Sequence, residues 1–297
     1  MDEFALIREV VNNLGDRAQG RWIALGPGDD AAVIDQSPDT QVVASIDTLV
    51  SGVHFPTDAA PELIGYRALM VSLSDLAAMA ATPRYVLVAL TLPNPDGAWV
   101  GQLARGMASA AEVCDTYLCG GNFARGPLSI TVSVHGEVPD GQAVTRAGAR
   151  VGDQIYVSGP LGGAAGCVRE ADFFIATGAE LSARQQRYYR PRARFDLMTD
   201  LRSQANAAID VSDGLLVDLA HMCAASEVQA RISSKLVPVF TGAQLDDALF
   251  GGDDYEILCT ARQAIPGMIH IGEVTAGSDV LLDNNEVDAK GYNHFES

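Results

Sequence analysis

Lysine is almost missing from this 297-residue chain: Lys235 and Lys290 are the only two. Lysine and arginine together number 20 against 38 aspartates and glutamates, which leaves a formal net charge of −18. A chain so acidic has no broad basic face for a nucleic-acid backbone or an anionic membrane surface, so neither is expected as a partner. Cysteine is also sparse. Cys114, Cys119, Cys167, Cys223 and Cys259 form no CxxC pair, and their odd number leaves one over in any full pairing. A disulfide framework and a thiolate zinc site are therefore poor readings, and buried thiols in a reducing cytoplasm are expected. No apolar run approaches the ~18 residues of a membrane-spanning helix. The opening "MDEFALIREVVNNLG" is acidic and has no basic leader, so the expected location is cytoplasmic. Low-complexity tracts and solenoid-type repeats are lacking too.

What is present is a core-forming sequence, 48% hydrophobic, and long enough for two domains at roughly 150 residues each. Strand and helix patterns alternate. Phe4, Ile7, Val10, Val11 and Leu14 recur at helical spacing and stop at Gly15. "QVVASIDTLV" (41–50) reads as a strand, and residues 61–81 read mainly as helix with a break near Ser72–Ser74. "YVLVALTLP" (85–93) reads as an apolar strand, followed by the turn "NPDG" and a helix over 98–113. "GGNFARG" (120–126) reads as a glycine-rich loop before the alternating strand that starts at Leu128. The turn-rich stretch 139–153 marks the boundary between an expected N-terminal domain, 1–145, and a C-terminal domain, 146–297. The second opens with the strand "QIYVSG" and a helix from about residue 163.

Acidic residues gather beside glycines and at expected element ends: "GPGDDAAV" (26–33), "SIDTLVSGVHF" (45–55), "LSDLAA" (73–78), "DVSDGL" (210–215) and "GGDDYE" (251–256). Singly, each is explained by a helix N-cap or a turn. Asp29 and Asp30 are expected at the mouth of a buried strand, and Asp47 interrupts an apolar one. The Ser-Asp pairs at 74–75 and 212–213 are each expected at a helix start. Too few cations are available to pair all these carboxylates. Hard oxygen ligands without a Cys/His cluster favour Mg²⁺ over Zn²⁺. The chemistry that uses several Mg²⁺ ions in this way is phosphoryl transfer, which is mostly positioning and charge neutralisation. Neither GxxxxGK[ST] nor a protein-kinase signature set occurs. "SGPLGGAAG" (158–166) could offer amides to an anion or could serve close helix–strand packing, and Arg125, Arg146 and Arg150 could meet phosphate.

The ordered set "GPGDDAAV", "SIDTLVSGVHF", "ALMVSLSDLAAMAATP", "RGPLSITVSVHG", "TRAGARVGD", "AIDVSDGLLVDLAH", "GGDDYE" and "GYNHF" resembles the thiamine-monophosphate kinases, within the aminoimidazole ribonucleotide synthetase-like superfamily, over nearly the whole chain. The resemblance implies a two-domain α/β (α+β) fold. Its N-terminal sheet would pair into a barrel across a homodimer, and its C-terminal domain would be an α/β sandwich. It implies transfer of the ATP γ-phosphoryl group to thiamine monophosphate, with several Mg²⁺ ions and room for K⁺. Metal positions map to Asp30, Ser45, Asp47, Asp75, Asn122, Asp210 and Asp213. Nucleotide positions map to Gly121, Asn122, Arg146 and Ser212, and substrate positions to His54, Asp253 and Tyr292. On its residues alone, His54 could equally be a packed strand-end histidine and Tyr292 an ordinary C-terminal aromatic. The acceptor would be a phosphate, whose second pKa near ~6 leaves it largely ionised at neutral pH, so no general base is required.

The chain departs from the family pattern at one end of this set. Where the family usually reads GGDTTRG, this sequence reads GGNFARG, so Asn122 keeps an oxygen but loses a charge, and Phe123 and Ala124 replace two hydroxyls. Ile46 replaces a threonine, and because the resemblance assigns that threonine and the aspartate at position 122 to one metal, it implies a weakened Mg²⁺ site, although the backbone carbonyl at 46 could still serve. Asp253 stands where glutamate is usual, and Pro27 where isoleucine is usual. The alternative reading is a diverged paralogue: another ATP-dependent enzyme of the same fold, or a ligand-binding protein with weak turnover.

Overall fold

The computed structural model describes residues 2–20, 22–173, 180–292 and 294. Asn293 and Phe295 of "GYNHF" lie outside the described residues. The chain divides into two compact units: Met1–Leu76 with Ala81–Gly141, and Gln142–Ser297 with the short piece Ala77–Ala80.

The first unit runs α1 (Glu3–Leu14), β1 (Ile23–Leu25), β2 (Val33–Ile34), β3 (Thr40–Val50), α2 (Pro61–Ala78), β4 (Thr82–Leu92), α3 (Gly97–Cys114), β5 (Tyr117–Arg125) and β6 (Ser129–Pro139). Its four-stranded sheet has the order β3-β6-β4-β5. The β4–β5 pair is parallel and α3 supplies the crossover, while β6 pairs antiparallel with both β3 and β4. Along β6, Ile130, Val132, Val134 and Val138 are buried and the residues between them are half-exposed, so one face of the sheet is covered and the other open. The covered face meets helices rich in small and branched apolar residues. In α2, Ala68, Leu69, Met70, Leu73 and Leu76 are fully buried.

Four expectations for this unit need correction. Residues 61–78 form one continuous helix, without a break at Ser72–Ser74. Ser72 donates its hydroxyl to the Ala68 carbonyl at 3.0 Å, which satisfies a buried polar group inside the helix. Asp75 consequently stands in the last turn of α2, not at a helix start. Asp29 and Asp30 do not precede a buried strand: β2 is two residues long, paired only with β1, and Val33 is 51% exposed. Finally, "GGNFARG" is not a loop, because residues 117–125 are the edge strand β5, and the turn falls after Arg125.

The second unit runs β7 (Gln154–Val157), α4 (Gly163–Arg169), α5 (Ala183–Tyr189), α6 (Met198–Gln204), β8 (Ala205–Asp210), α7 (Leu215–Ser226), β9 (Gln229–Ile232), α8 (Leu245–Phe250), β10 (Ile257–Ala261), β11 (Ile269–Thr275), β12 (Val280–Leu282) and β13 (Asn285–Glu286). Its seven-stranded mixed sheet has the order β13-β12-β9-β11-β7-β10-β8. Ile155, Val157, Ile209, Leu258 and Ile271 from the strands pack with Leu215, Leu216 and Leu219 of α7 into its core. The tip of β8 carries Asp210, and the turn from there into α7 holds Ser212 and Asp213.

Candidate functional site

In the first unit, β3 and α2 bring three of the expected groups together. Strand alternation places Ser45 and Asp47 on the side of Val43 and Leu49, the covered side. The Ser45 hydroxyl donates to Asp75 Oδ2 at 2.5 Å. Asp47 is pushed up to about 6, first by burial and then by the charge of Asp75, against a hydrogen bond from Ser72. Two carboxylates and a hydroxyl on a half-buried surface form an oxygen-only donor set with an uncompensated negative charge. That is the chemistry a hard divalent cation relieves, so these residues fit Mg²⁺. Asp30 does not join them. It is exposed on the β1–β2 loop, where its N–H donates to Asp29 Oδ1 at 2.8 Å. Among the described residues, no three His, Cys, Asp or Glu side chains form a single metal-ligating cluster.

The side chain of Ile46 projects from the opposite, open face and is 64% exposed. Replacing a hydroxyl by a branched alkyl group at 46 therefore alters the open face and not the surroundings of the Asp47 carboxylate. Ile46 thus lies on the side of the sheet that borders the same cavity as Asn122, the position with which the expected weakened metal site pairs it. The open face and the β1–β2 loop border a cavity of about 950 Å³ lined by Asp29, Asp30, Ile46, Gly121, Asn122 and Phe123 among others. In the β4–β5 ladder Asn122 pairs with Ala89 and Gly121 with Val88. A Cβ on Gly121 would lie 2.0 Å from the Val88 carbonyl oxygen, so only glycine allows the strands to approach there. His135, missed from the sequence, also faces this cavity. It stacks on Tyr85 at 4.5 Å and pairs with Ser133 Oγ at 3.0 Å, and burial lowers its pKa. Its signal was the alternation of β6, in which every second residue from Ser129 faces outward.

His54 folds back on the end of β3. The Val50 N–H donates to His54 Nδ1 at 3.0 Å, and buried Arg67 donates Nε to the His54 carbonyl at 3.3 Å. With Nδ1 an acceptor, the neutral ring carries its proton on Nε2.

The second unit gathers its expected residues around the 211–214 turn. The Asp253 N–H donates to the Ser212 carbonyl at 2.8 Å, and the Tyr292 N–H to the Asp213 carbonyl at 3.0 Å. Tyr255 Oη donates to Asp253 Oδ1 at 2.8 Å. Asp253 and Tyr255 have φ of 69° and 52°, a left-handed backbone that non-glycine residues adopt at a cost and that clusters at ligand sites. Burial raises the pKa of Asp213, opposed by His221, His294 and exposed Arg146. Asp210 is buried at the end of β8. Tyr292 is half-exposed, with its ring edge-on to His294. Asp218, missed from the sequence, accepts the N–H groups of Ser212, Asp213 and Gly214. Burial and the Asp213 charge push it up to about 7.

Two acids of "GGDDYE" serve the fold. Asp254 Oδ2 accepts the Gly162 N–H at 2.7 Å, so that amide of "SGPLGGAAG" meets an internal carboxyl group. Glu256 is held by Arg187 at 2.8 Å, Arg194 at 2.6 Å and the Ser158 hydroxyl.

Comparison with known proteins places the whole chain. Residues 28–138 match the family model "AIR synthase related protein, N-terminal domain", and residues 150–269 match "AIR synthase related protein, C-terminal domain". The thiamine-monophosphate kinase of Escherichia coli O157:H7 is 38% identical over 99% of this chain and 98% of its own length. The crystal structure of thiamine-monophosphate kinase from Stenotrophomonas maltophilia K279a superposes with a TM-score of 0.86 at 38% identity, covering 97% of this chain and 98% of that one. A solved structure of AaThiL complexed with AMPPCP and TMP superposes with a TM-score of 0.81 at 32% identity, covering 99% and 97%.

Proposed function

This chain belongs to the thiamine-monophosphate kinase family, and from that premise we infer that it transfers the γ-phosphoryl group of ATP to thiamine monophosphate, giving thiamine diphosphate and ADP. The observation that carries the reading is the full-length likeness to these kinases, including the relative complexed with AMPPCP and TMP.

Supporting it are the acidic set on β3 and α2 and the turn that organises Ser212 and Asp213. We assign Asp30, Ser45, Asp47, Asp75, Asn122, Asp210 and Asp213 to Mg²⁺, with K⁺ resting on the resemblance alone. Mg²⁺, when bound, supplies neutralisation of phosphate charge. Gly121, Asn122, Arg146 and Ser212 are assigned to the nucleotide, and Gly121 leaves the β5 backbone without a side chain at that point. His54, through Nε2–H, and Asp253 and Tyr292, on the 253–255 and 291–292 segments, are assigned to thiamine monophosphate. The acceptor phosphate is largely ionised at neutral pH, so the chain's task is to hold two anions in line without a general base. The N-terminal domain, 1–145, would bind ATP and Mg²⁺ and form a homodimer through its sheet. The open face with exposed Val42, Ile46 and Leu87 supports that interface. The C-terminal domain is 146–297. Cytoplasmic location fits the absence, among the described residues, of any helix long and apolar enough to cross a membrane.

Asn122, Phe123 and Ala124 favour a second reading, a ligand-binding paralogue with weak turnover. One assay separates the two: purified protein with ATP, Mg²⁺ and thiamine monophosphate, scored for thiamine diphosphate. Product formation supports the kinase. Nucleotide binding without product supports the paralogue.

A further inference from the structure

Five residues assigned above to metal, nucleotide or substrate are joined through one short turn, and that turn rests on a single side chain. Asp218 lies in the first turn of α7 and is 2% exposed. Its Oδ2 accepts the backbone N–H groups of Ser212, Asp213 and Gly214, each at 3.1 Å. Gly214 is the N-cap of α7, so one of the three amides is a donor that the helix leaves without a partner, the other two belong to the turn ahead of it, and the carboxyl group sits at the favourable end of the helix dipole. Here it does more than cap. The carbonyls of the same peptide units face the other way: Ser212 O receives Asp253 N–H at 2.8 Å, and Asp213 O receives Tyr292 N–H at 3.0 Å. The turn has little freedom to shift. A Cβ on Gly252 would stand 2.3 Å from Ser212 O, and Gly214 has a φ of 136°. Asp210 ends the strand that leads into the turn.

We propose that Asp218 is a positioning residue for phosphoryl transfer: by holding the amides of 212–214 from below, it fixes Ser212 and Asp213 against the nucleotide and metal and, through the turn's carbonyls, Asp253 and Tyr292 against the acceptor. The proposal rests on the kinase reading for the identity of the acceptor. The hydrogen-bond pattern itself does not depend on it. A cap that serves stability alone would change the melting temperature and leave both Michaelis constants where they were.

The test uses full-length wild type, Asp218→Asn and Asp218→Ala. Asparagine keeps an oxygen for the three amides without the charge, and alanine leaves them with no acceptor. Binding of Mg²⁺–AMPPCP is measured by calorimetry, KM for ATP and for thiamine monophosphate by product formation, and backbone amide exchange at 212–214 by mass spectrometry. Because unsatisfied buried donors shift to find partners, Asp218→Ala is expected to weaken Mg²⁺–AMPPCP binding and raise both KM values about tenfold or more, and Asp218→Asn about two- to fivefold. In wild type the three amides are expected to be protected without ligand. A folded Asp218→Ala protein with wild-type nucleotide affinity and KM values would overturn the proposal, as would unprotected amides at 212–214 in wild type. If Asp218→Ala does not fold, Asp218→Asn decides: a lower melting temperature with unchanged KM values and nucleotide affinity overturns the proposal, and raised values with faster exchange confined to the turn support it. Wild type that binds Mg²⁺–AMPPCP but makes no thiamine diphosphate would instead overturn the kinase reading, and nucleotide affinity and amide exchange would still decide the role of Asp218.

Discussion

Asp254 provides a quantitative test of the second unit. Its pKa is pushed up to about 8, chiefly by burial, while the Gly162 amide and Arg187 oppose the shift and Glu256 and Asp253 add to it. The folded protein therefore keeps a proton on Asp254 that the unfolded chain releases at an ordinary aspartate pKa near ~3.9. Between about pH 4 and pH 8 the folded state binds more protons, so this group makes stability fall as pH rises, with a ceiling of about 1.4 kcal/mol per pH unit. Water penetration and relaxation lower that ceiling, so about 2 kcal/mol is expected between pH 5 and pH 7. Asp254→Asn is neutral at every pH and keeps an oxygen for the Gly162 amide. Its stability relative to wild type should rise by about that amount from pH 5 to pH 7 and level off above about pH 8. Any constant cost of burying an amide group shifts the curve without changing its slope. Trp22 and Trp99 both lie in the first unit, so tryptophan fluorescence would follow the wrong half of the chain. Urea unfolding read by amide exchange in β10 follows the right one. A difference between variant and wild type that stays flat from pH 5 to pH 8 would refute the reasoning.

Two further predictions concern the first unit. Asp47 is pushed up to about 6 by burial and by Asp75, and under the proposed assignment it must ionise to receive Mg²⁺. Apparent Mg²⁺ affinity should therefore fall as pH drops through about 6, by close to tenfold per pH unit below it. Asp47→Asn should bind weakly with most of that dependence gone, and calorimetric titration of wild type and variant at several pH values checks both. Gly121→Ala should cost about 1–3 kcal/mol through forced separation of β4 and β5, because its Cβ would meet the Val88 carbonyl oxygen at 2.0 Å. Here tryptophan fluorescence is the appropriate probe, and a loss of unfolding free energy below about 0.5 kcal/mol, taken from the urea midpoint and slope, would contradict the close approach.

The fold was legible wherever one face of an element is buried, because burial writes a period into the sequence. The alternation of β6 and the helical spacing of α1 are of this kind. The failures occurred where a local preference was outvoted by a neighbour in space. Two consecutive glycines argue for a loop, yet Gly120 and Gly121 sit in β5 because β4 runs close beside them. Ser72 and Ser74 argue for a helix break, yet Ser72 bonds back into its own helix, and the apolar residues around the pair bury α2 on most sides. The placement of Ile46 on the open face follows from strand alternation, which sends consecutive side chains to opposite faces and so parts it from Ser45 and Asp47.

The same point bears on how an acidic chain should be searched for a phosphate site. A net charge of −18 with few lysines suggests many carboxylates waiting for metal, but the structure divides them into two kinds. Asp247 takes a bidentate bond from Arg169, Glu256 takes two arginines, Asp254 takes an amide and Asp218 takes three. These acids answer donors inside the fold. Asp47 instead feels the charge of Asp75 across β3 and α2, with Ser72 bonding the first and Ser45 the second, an arrangement that costs free energy and that a cation would relieve. Spacing in the sequence does not distinguish the two kinds, since "GGDDYE" holds an assigned substrate contact, an amide acceptor and an arginine partner within four residues. What separates them is whether backbone amides or guanidinium groups converge on the carboxylate, and that depends on which distant segment the fold lays beside it.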